Sequence, residues 1–146
     1  MKDQIDAQAA IEKLEQGELG NVKILMIEDD SFFSELVLSK LAKEGCIPYS
    51  SNNGDEAMSL AGQYCPDIVI LDLMLPGKQG EDVLHELKEN ETLRHIPVIV
   101  FSNKSNPEDI DKNIKAGAAA FLIKSSTDLG DLVTIVKETA EKAKAK

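Results

Sequence analysis

The feature that most constrains this chain is the stretch Asp67-Ile68-Val69-Ile70-Leu71-Asp72, followed a few residues later by Pro76-Gly77. An unbroken apolar run, rich in β-branched residues and bounded by a turn signal, reads as a strand buried on both faces, the kind found inside a parallel sheet. Asp72 then stands at the carboxyl end of that strand, where open α/β sheets place their ligand crevice. A single aspartate there also suits a turn or a helix cap, so its meaning depends on what else reaches the same rim.

The rest of the chain supplies four more strands of the same kind. Val22 to Ile27 is mostly apolar and stops at Glu28-Asp29-Asp30. Asp30 or Ser31 caps a helix with Phe33, Leu36, Val37 and Leu41 at helical spacing, ending near Gly45. Ile47 to Ser51 is a short second strand, and Asn53-Gly54 turns into a helix carrying Ala57, Leu60 and Ala61. After the central strand a third helix runs from about Glu81 to Glu89, with Val83, Leu84 and Leu87 inward. Pro97 to Phe101 is a fourth buried strand ending at Ser102. Pro107 suits the first turn of a fourth helix that Gly117 terminates. Ala119 to Ile123 is the fifth strand, ending at Lys124, and a last helix starts near Thr127 with Leu129, Leu132, Val133, Val136 and Ala140 on one face. Five strands alternating with five helices predict a doubly wound α/β sandwich around a parallel sheet. Residues 1–20 form a polar extension, where Ala7, Ala10, Ile11 and Leu14 make a thin helical stripe before Gly17 and Gly20; residues 21–146 form the domain.

In such a sheet the strand ends share one rim. Glu28, Asp29, Asp72, Ser102 and Lys124 therefore converge. Three carboxylates at close range repel one another and call for a hard cation, and Mg2+ (or Mn2+) suits a site with few protein ligands. A carboxylate shielded in this way can attack phosphorus, while an ammonium and a hydroxyl bind the phosphoryl oxygens. Taken one at a time, each residue has an ordinary structural use as a cap, a turn or a solvated charge. Their coincidence at one end of one sheet is the argument.

Bulk properties narrow the alternatives. The chain has 146 residues, 42% hydrophobic and 29% charged, which fits one soluble domain. A net charge of −10 argues against a nucleic-acid surface. Cys46 and Cys65 lack the spacing of a metal or redox motif and are expected as buried free thiols. With no membrane-length apolar run and no signal-like amino terminus, a cytoplasmic location is expected. His85 and His95, in or just after the third helix, are expected at the surface, away from the rim.

The motifs Ile-Leu-Met-Ile-Glu-Asp-Asp, Pro-Asp-Ile-Val-Ile-Leu-Asp-Leu-Met-Leu-Pro-Gly, Ile-Pro-Val-Ile-Val-Phe-Ser and Gly-Ala-Ala-Ala-Phe-Leu-Ile-Lys, in this order over roughly residues 21–142, resemble the receiver domain of bacterial two-component response regulators. The resemblance implies a flavodoxin-like (βα)5 three-layer sandwich and a stand-alone receiver, since about 22 residues follow Lys124. It casts Asp72 as phosphoacceptor, Glu28 and Asp29 as the acidic pair holding the metal, and the Met74 backbone carbonyl as a further metal ligand. Ser102 becomes the switch hydroxyl, Phe121 the switch aromatic and Lys124 the phosphate-binding lysine. Its implied partners are a histidine kinase or phosphotransfer protein and a downstream protein target, with no direct nucleic-acid or membrane contact. Whether the chain forms a homodimer through the face of the fourth helix, fifth strand and fifth helix is left open.

Two residues depart from the family pattern. Ser125 stands where a cis proline usually follows the lysine; a cis bond before a non-proline costs about 2.5–4 kcal/mol, so a trans bond is expected, with Lys124 slightly displaced. Asn103 replaces a small residue after the switch hydroxyl and is expected to cover part of the acceptor. These departures support one alternative, a degenerate receiver used as a protein-interaction adaptor. An aspartyl phosphatase would need a second aspartate where Met74 stands, and a flavodoxin-like cofactor binder would need a phosphate loop where Glu28-Asp29-Asp30 stands.

Overall fold

The computed structural model of the chain describes residues 19–144. The expected helix on residues 7–14 lies outside them. Strands β1 (Lys23–Ile27), β2 (Ile47–Ser51), β3 (Ile68–Leu71), β4 (Val98–Ser102) and β5 (Ala120–Ile123) pair in parallel in the order β2-β1-β3-β4-β5. They alternate with α1 (Ser31–Ala42), α2 (Ala57–Tyr64), α3 (Gly80–Glu89), α4 (Pro107–Lys115) and α5 (Leu129–Lys144). This is the doubly wound, flavodoxin-like arrangement. Its strand order reverses between β1 and β3, which opens the crevice at their carboxyl ends.

Strand periodicity divides the core in two. Ile24, Met26, Ile68, Ile70, Ile99 and Phe101 face α1 and α5, packing with Val37, Leu41, Leu132, Val133 and Val136. Their neighbours Leu25, Ile27, Val69, Leu71, Val98 and Val100 face α2 and α3, packing with Ala57, Ala61, Val83, Leu84 and Leu87. Both faces are covered by helices, so the central strands read as continuous apolar runs rather than as alternating ones. The exception is β2, an edge strand exposed along most of its length. It tolerates Pro48 because an edge has one unpaired side.

Local signals set the helix ends. Asp30 caps α1, its Oδ1 accepting from the Phe33 N–H at 3.1 Å. Asn106 caps α4, accepting from the Asp109 N–H at 2.9 Å, with Pro107 in the first turn. The Asp128 carboxylate accepts from the Asp131 N–H at 2.8 Å.

Three expectations need correction. Leu36 does not point inward but is 49% exposed, because α1 meets the sheet through Ser34, Val37 and Leu41, a narrower stripe than its apolar content suggests. Cys46 is a buried free thiol, but Cys65 is exposed: it ends α2 in the left-handed region at φ 48°, beyond the buried face of that helix. The last helix begins at Leu129 rather than near Thr127, since Lys124–Ser126 first makes a 3-10 turn.

Candidate functional site

Register brings the acidic residues together. Ile27 pairs with Leu71 across β1 and β3, and the Asp72 N–H donates to the Ile27 carbonyl at 3.0 Å. The next residue on each strand, Glu28 and Asp72, is therefore level with the other at the rim. Both side chains belong to positions facing α1 and α5, and both are buried, at 3% and 6% exposure. Asp29 follows in the loop to α1 and is exposed. One carboxylate oxygen from each of Glu28, Asp29 and Asp72 lies within 4.8 Å of the others.

Lys124 enters the same space from the end of β5. Its Nζ lies 2.6 Å from Glu28 Oε2 and 2.9 Å from Asp72 Oδ2. The ammonium also sits over the Phe33 ring, 4.9 Å from its centroid, and Phe33 in turn packs on Phe101 with centroids 5.7 Å apart. A cation held between two carboxylates and an aromatic face keeps its place with little freedom. The other Asp72 oxygen, Oδ1, accepts from the Met74 N–H at 3.1 Å, and Glu28 Oε1 accepts from the Asp30 N–H at 3.2 Å.

These surroundings separate the two buried carboxyls. Burial pushes Glu28 up to about 7, against the opposing pull of its Lys124 hydrogen bond. Burial also works to raise Asp72, but hydrogen bonds from Lys124, Glu28 and the Met74 N–H outweigh it and hold the group below the ordinary aspartate value. Of the two, Glu28 is therefore the carboxyl that takes up a proton first and Asp72 the one that stays ionised. Lys124 has a raised value because its bonds to the two carboxyls outweigh its own burial.

The remaining sequence-predicted residues are placed differently. Ser102 is fully buried, and its Oγ accepts from the Lys104 N–H at 3.2 Å, inside its own loop. It shares the α2/α3 side of the sheet with half-buried Phe121, whereas Glu28, Asp72 and Lys124 share the other side. Met74 is 58% exposed. The Asn103 Oδ1 accepts from the Ser125 N–H at 2.9 Å. No described peptide bond is cis, so Lys124–Ser125 is trans. His85 and His95 are exposed, away from the rim.

Two contributors escaped the sequence reading. Phe33 was legible only as a core residue, because nothing local announces that a lysine 91 positions later lands on its ring. Gly80, the first residue of α3, lies against the chain at Asp72 and Leu73: a Cβ there would run into the Asp72 carbonyl oxygen and the Leu73 Cα. Its N–H donates to the Leu73 carbonyl at 3.0 Å. The spacing Pro76-Gly77-x-x-Gly80 was the available signal.

The donor set suits a small, hard dication. Three carboxylates against one ammonium leave excess negative charge when all are ionised, and oxygen donors on one side of an open crevice leave room for water ligands.

Residues 24–137 match the family described as response regulator receiver domain, and the chain belongs to that family, the receivers of two-component systems. Among its relatives is the probable transcriptional regulator ycf29 of Pyropia yezoensis, 35% identical over 114 residues, 78% of this chain and 51% of that protein. The chain thus spans about half the length of that relative, and less than half of the response regulator PleD of Caulobacter vibrioides. Among solved structures, the phosphorylated cyanobacterial phytochrome response regulator RcpA is 34% identical with a TM-score of 0.71, over 84% of this chain and 93% of that one. The Mn2+-bound form of another response regulator is 32% identical with a TM-score of 0.68, over 80% and 89%.

Proposed function

We propose that this receiver takes a phosphoryl group on Asp72 in a Mg2+-dependent reaction, from the phosphohistidine of a histidine kinase or phosphotransfer protein, and passes the signal by protein contact. The observation that carries this reading is the meeting of Glu28, Asp29, Asp72 and Lys124 at one rim, with Asp72 held ionised. Glu28, Asp29, Asp72 and the Met74 carbonyl would hold the cation, which when bound neutralises charge on the phosphoryl oxygens.

An Asp72 carboxylate oxygen attacks phosphorus. The phosphorus–nitrogen bond breaks, its electron pair returns to the donor imidazole, and an acyl phosphate remains on Asp72. Lys124, which already touches Asp72, exchanges that contact for a phosphoryl oxygen. Ser102 supplies a hydroxyl once it leaves the Lys104 N–H, and Phe121, on the same side of the sheet, follows it and alters the face built from α4, β5 and α5. Turnover of this kind is self-modification, so the chain acts as a switch rather than as an enzyme on a separate substrate. The described residues include no helix long and apolar enough to cross a membrane, and a cytoplasmic site of action fits a kinase donor.

Acetyl phosphate with Mg2+, read by intact mass, tests the proposal. The expected result is a gain of one phosphoryl group that Asp72→Ala abolishes. No gain in the wild-type chain would favour the adaptor alternative, and an undiminished gain in Asp72→Ala would place the acceptor elsewhere.

A further inference from the structure

The bond between Asn103 and Ser125 joins the two residues that stand apart from the family pattern, and it joins them across 22 positions. Each is the immediate neighbour of a rim residue, Asn103 of Ser102 and Ser125 of Lys124. A backbone N–H can only donate, so the side-chain carbonyl of Asn103 is the acceptor. Serine at 125 is what makes the donor available, since a proline there would have no N–H. The neighbouring bonds extend the restraint. Lys104, next in the same loop, donates its N–H to Ser102 Oγ and sets its Nζ 2.7 Å from Glu81 of α3. The β4–α4 loop is thus tied at three consecutive residues, one tie reaching the β5–α5 loop and one reaching α3.

We propose that Asn103 is a positioning residue for Lys124: by holding the Ser125 amide it fixes the loops after β4 and β5 as one unit and sets where the lysine ammonium stands. The arrangement restrains Lys124 without a ring in the backbone. One side-chain hydrogen bond replaces covalent rigidity, and such a restraint opens and closes more readily than a locked torsion. This inference rests on the phosphoacceptor reading for its kinetic consequence, but not for its structural one.

The test uses the whole chain with Asn103→Ala, Asn103→Asp and Ser125→Pro. Hydrogen exchange at the Ser125 amide reads the bond directly, the Lys124 Cε chemical shift reads the ammonium's surroundings, and phosphoramidate labelling with Mg2+ reads function. In Asn103→Ala, Ser125 exchange should accelerate and the maximal labelling rate should fall by about three- to tenfold, the worth of one such bond. The Mg2+ midpoint should move modestly to lower concentration, because an ammonium held less firmly competes less well for Glu28 and Asp72, although neither Asn103 nor Ser125 supplies a metal ligand. Asn103→Asp keeps the acceptor oxygen and should restore Ser125 protection. Ser125→Pro removes the donor and also restrains the backbone, so Asn103→Ala should cause no further slowing in the Ser125→Pro background, where no amide is left for Asn103 to hold. Unchanged Ser125 exchange or an unmoved Lys124 Cε in Asn103→Ala would overturn the proposal, as would a further loss when Asn103→Ala is added to Ser125→Pro. A wild-type chain that took no phosphoryl group would defeat the functional reading instead, and Ser125 exchange with the Lys124 shift would still decide the positioning role.

Discussion

The centre of the sheet and its β5 edge are packed to different standards. In β3 every residue is buried, and the helix that follows it, α3, buries Val83, Leu84 and Leu87. In β5 every residue is only half-buried, and α4, which leads into it, buries Asn113 alone while leaving Ile114 44% exposed. Glu28 and Asp72 end the tightly packed strands β1 and β3, whereas Phe121 lies on β5 and Lys124 directly follows it. A group that attacks phosphorus gains from a site that cannot shift, whereas a face that must change shape on signal needs contacts weak enough to exchange. Lys124 spans the two, rooted at the loose edge with its ammonium in the tight centre.

Cutting that span should have the largest effect. Lys124→Met keeps the length and apolar stem but removes the charge from Glu28 and Asp72. Phosphoramidate labelling should slow by about 10²-fold, the usual loss when one preorganised donor to a developing oxyanion is removed. Mg2+ should bind more tightly, since the ammonium no longer competes for the carboxylates. A variant that labels at the wild-type rate would break the division of labour drawn above.

A matched pair of truncations should sharpen the packing contrast. Leu84→Ala on α3 should cost about 2–4 kcal/mol in urea unfolding, because a fully buried leucine leaves a cavity. Ile114→Ala on α4 should cost less than about 0.5 kcal/mol, as expected for a side chain largely in water. Equal losses would mean that the two regions are equally well packed.

The architecture and the meeting of the rim residues were legible in the sequence because both follow from short-range patterns. Apolar runs set the strands, and Glu28, Asp72 and Lys124 are the residues on which three of those runs end, which is what puts them on the rim. What was not legible depended on pairings between distant positions. Leu36 has helical spacing with Leu41's face yet misses the sheet, since spacing does not show how wide a strip of α1 touches its neighbour. The bond from the Ser125 N–H to Asn103 joins two loops 22 positions apart, and no local pattern announces it. The exposure of Cys65 depends on a left-handed residue that ends α2. The steric need for Gly80 appears only when the chain after Asp72 folds back onto it.

A pH titration examines the tight centre from within. The folded chain holds a proton on Glu28 up to about pH 7, against a usual value of 4.5. The stability this raised value contributes is fully present below about 4.5 and is lost as pH rises through about 7. Mg2+ should reverse the preference, because it needs the ionised carboxylate. Its apparent affinity should therefore fall by about tenfold per unit as pH drops below 7, one proton being displaced per ion. Glu28→Gln should flatten that slope while weakening binding at every pH. A wild-type slope near zero would mean that Glu28 is already ionised in the metal-free chain.

The smallest effect expected is also the most specific probe of how the lysine is held. Phe33 and Phe32 are adjacent on the first turn of α1, one beneath the Lys124 ammonium and the other 79% exposed. Leucine at either position keeps the apolar bulk and removes the aromatic face. Phe33→Leu should slow labelling by about two- to fivefold, in line with roughly 0.5–1 kcal/mol for a cation over a ring; Phe32→Leu should leave it unchanged. The effect of Phe33→Leu should vanish in the Lys124→Met background, since the ring then has no cation to hold, whereas a general weakening of the core through Phe101 would persist there. If both leucine variants behave alike, or if the Phe33→Leu loss survives without the lysine, the aromatic face contributes packing only, and the tight centre holds Lys124 through its two carboxylates.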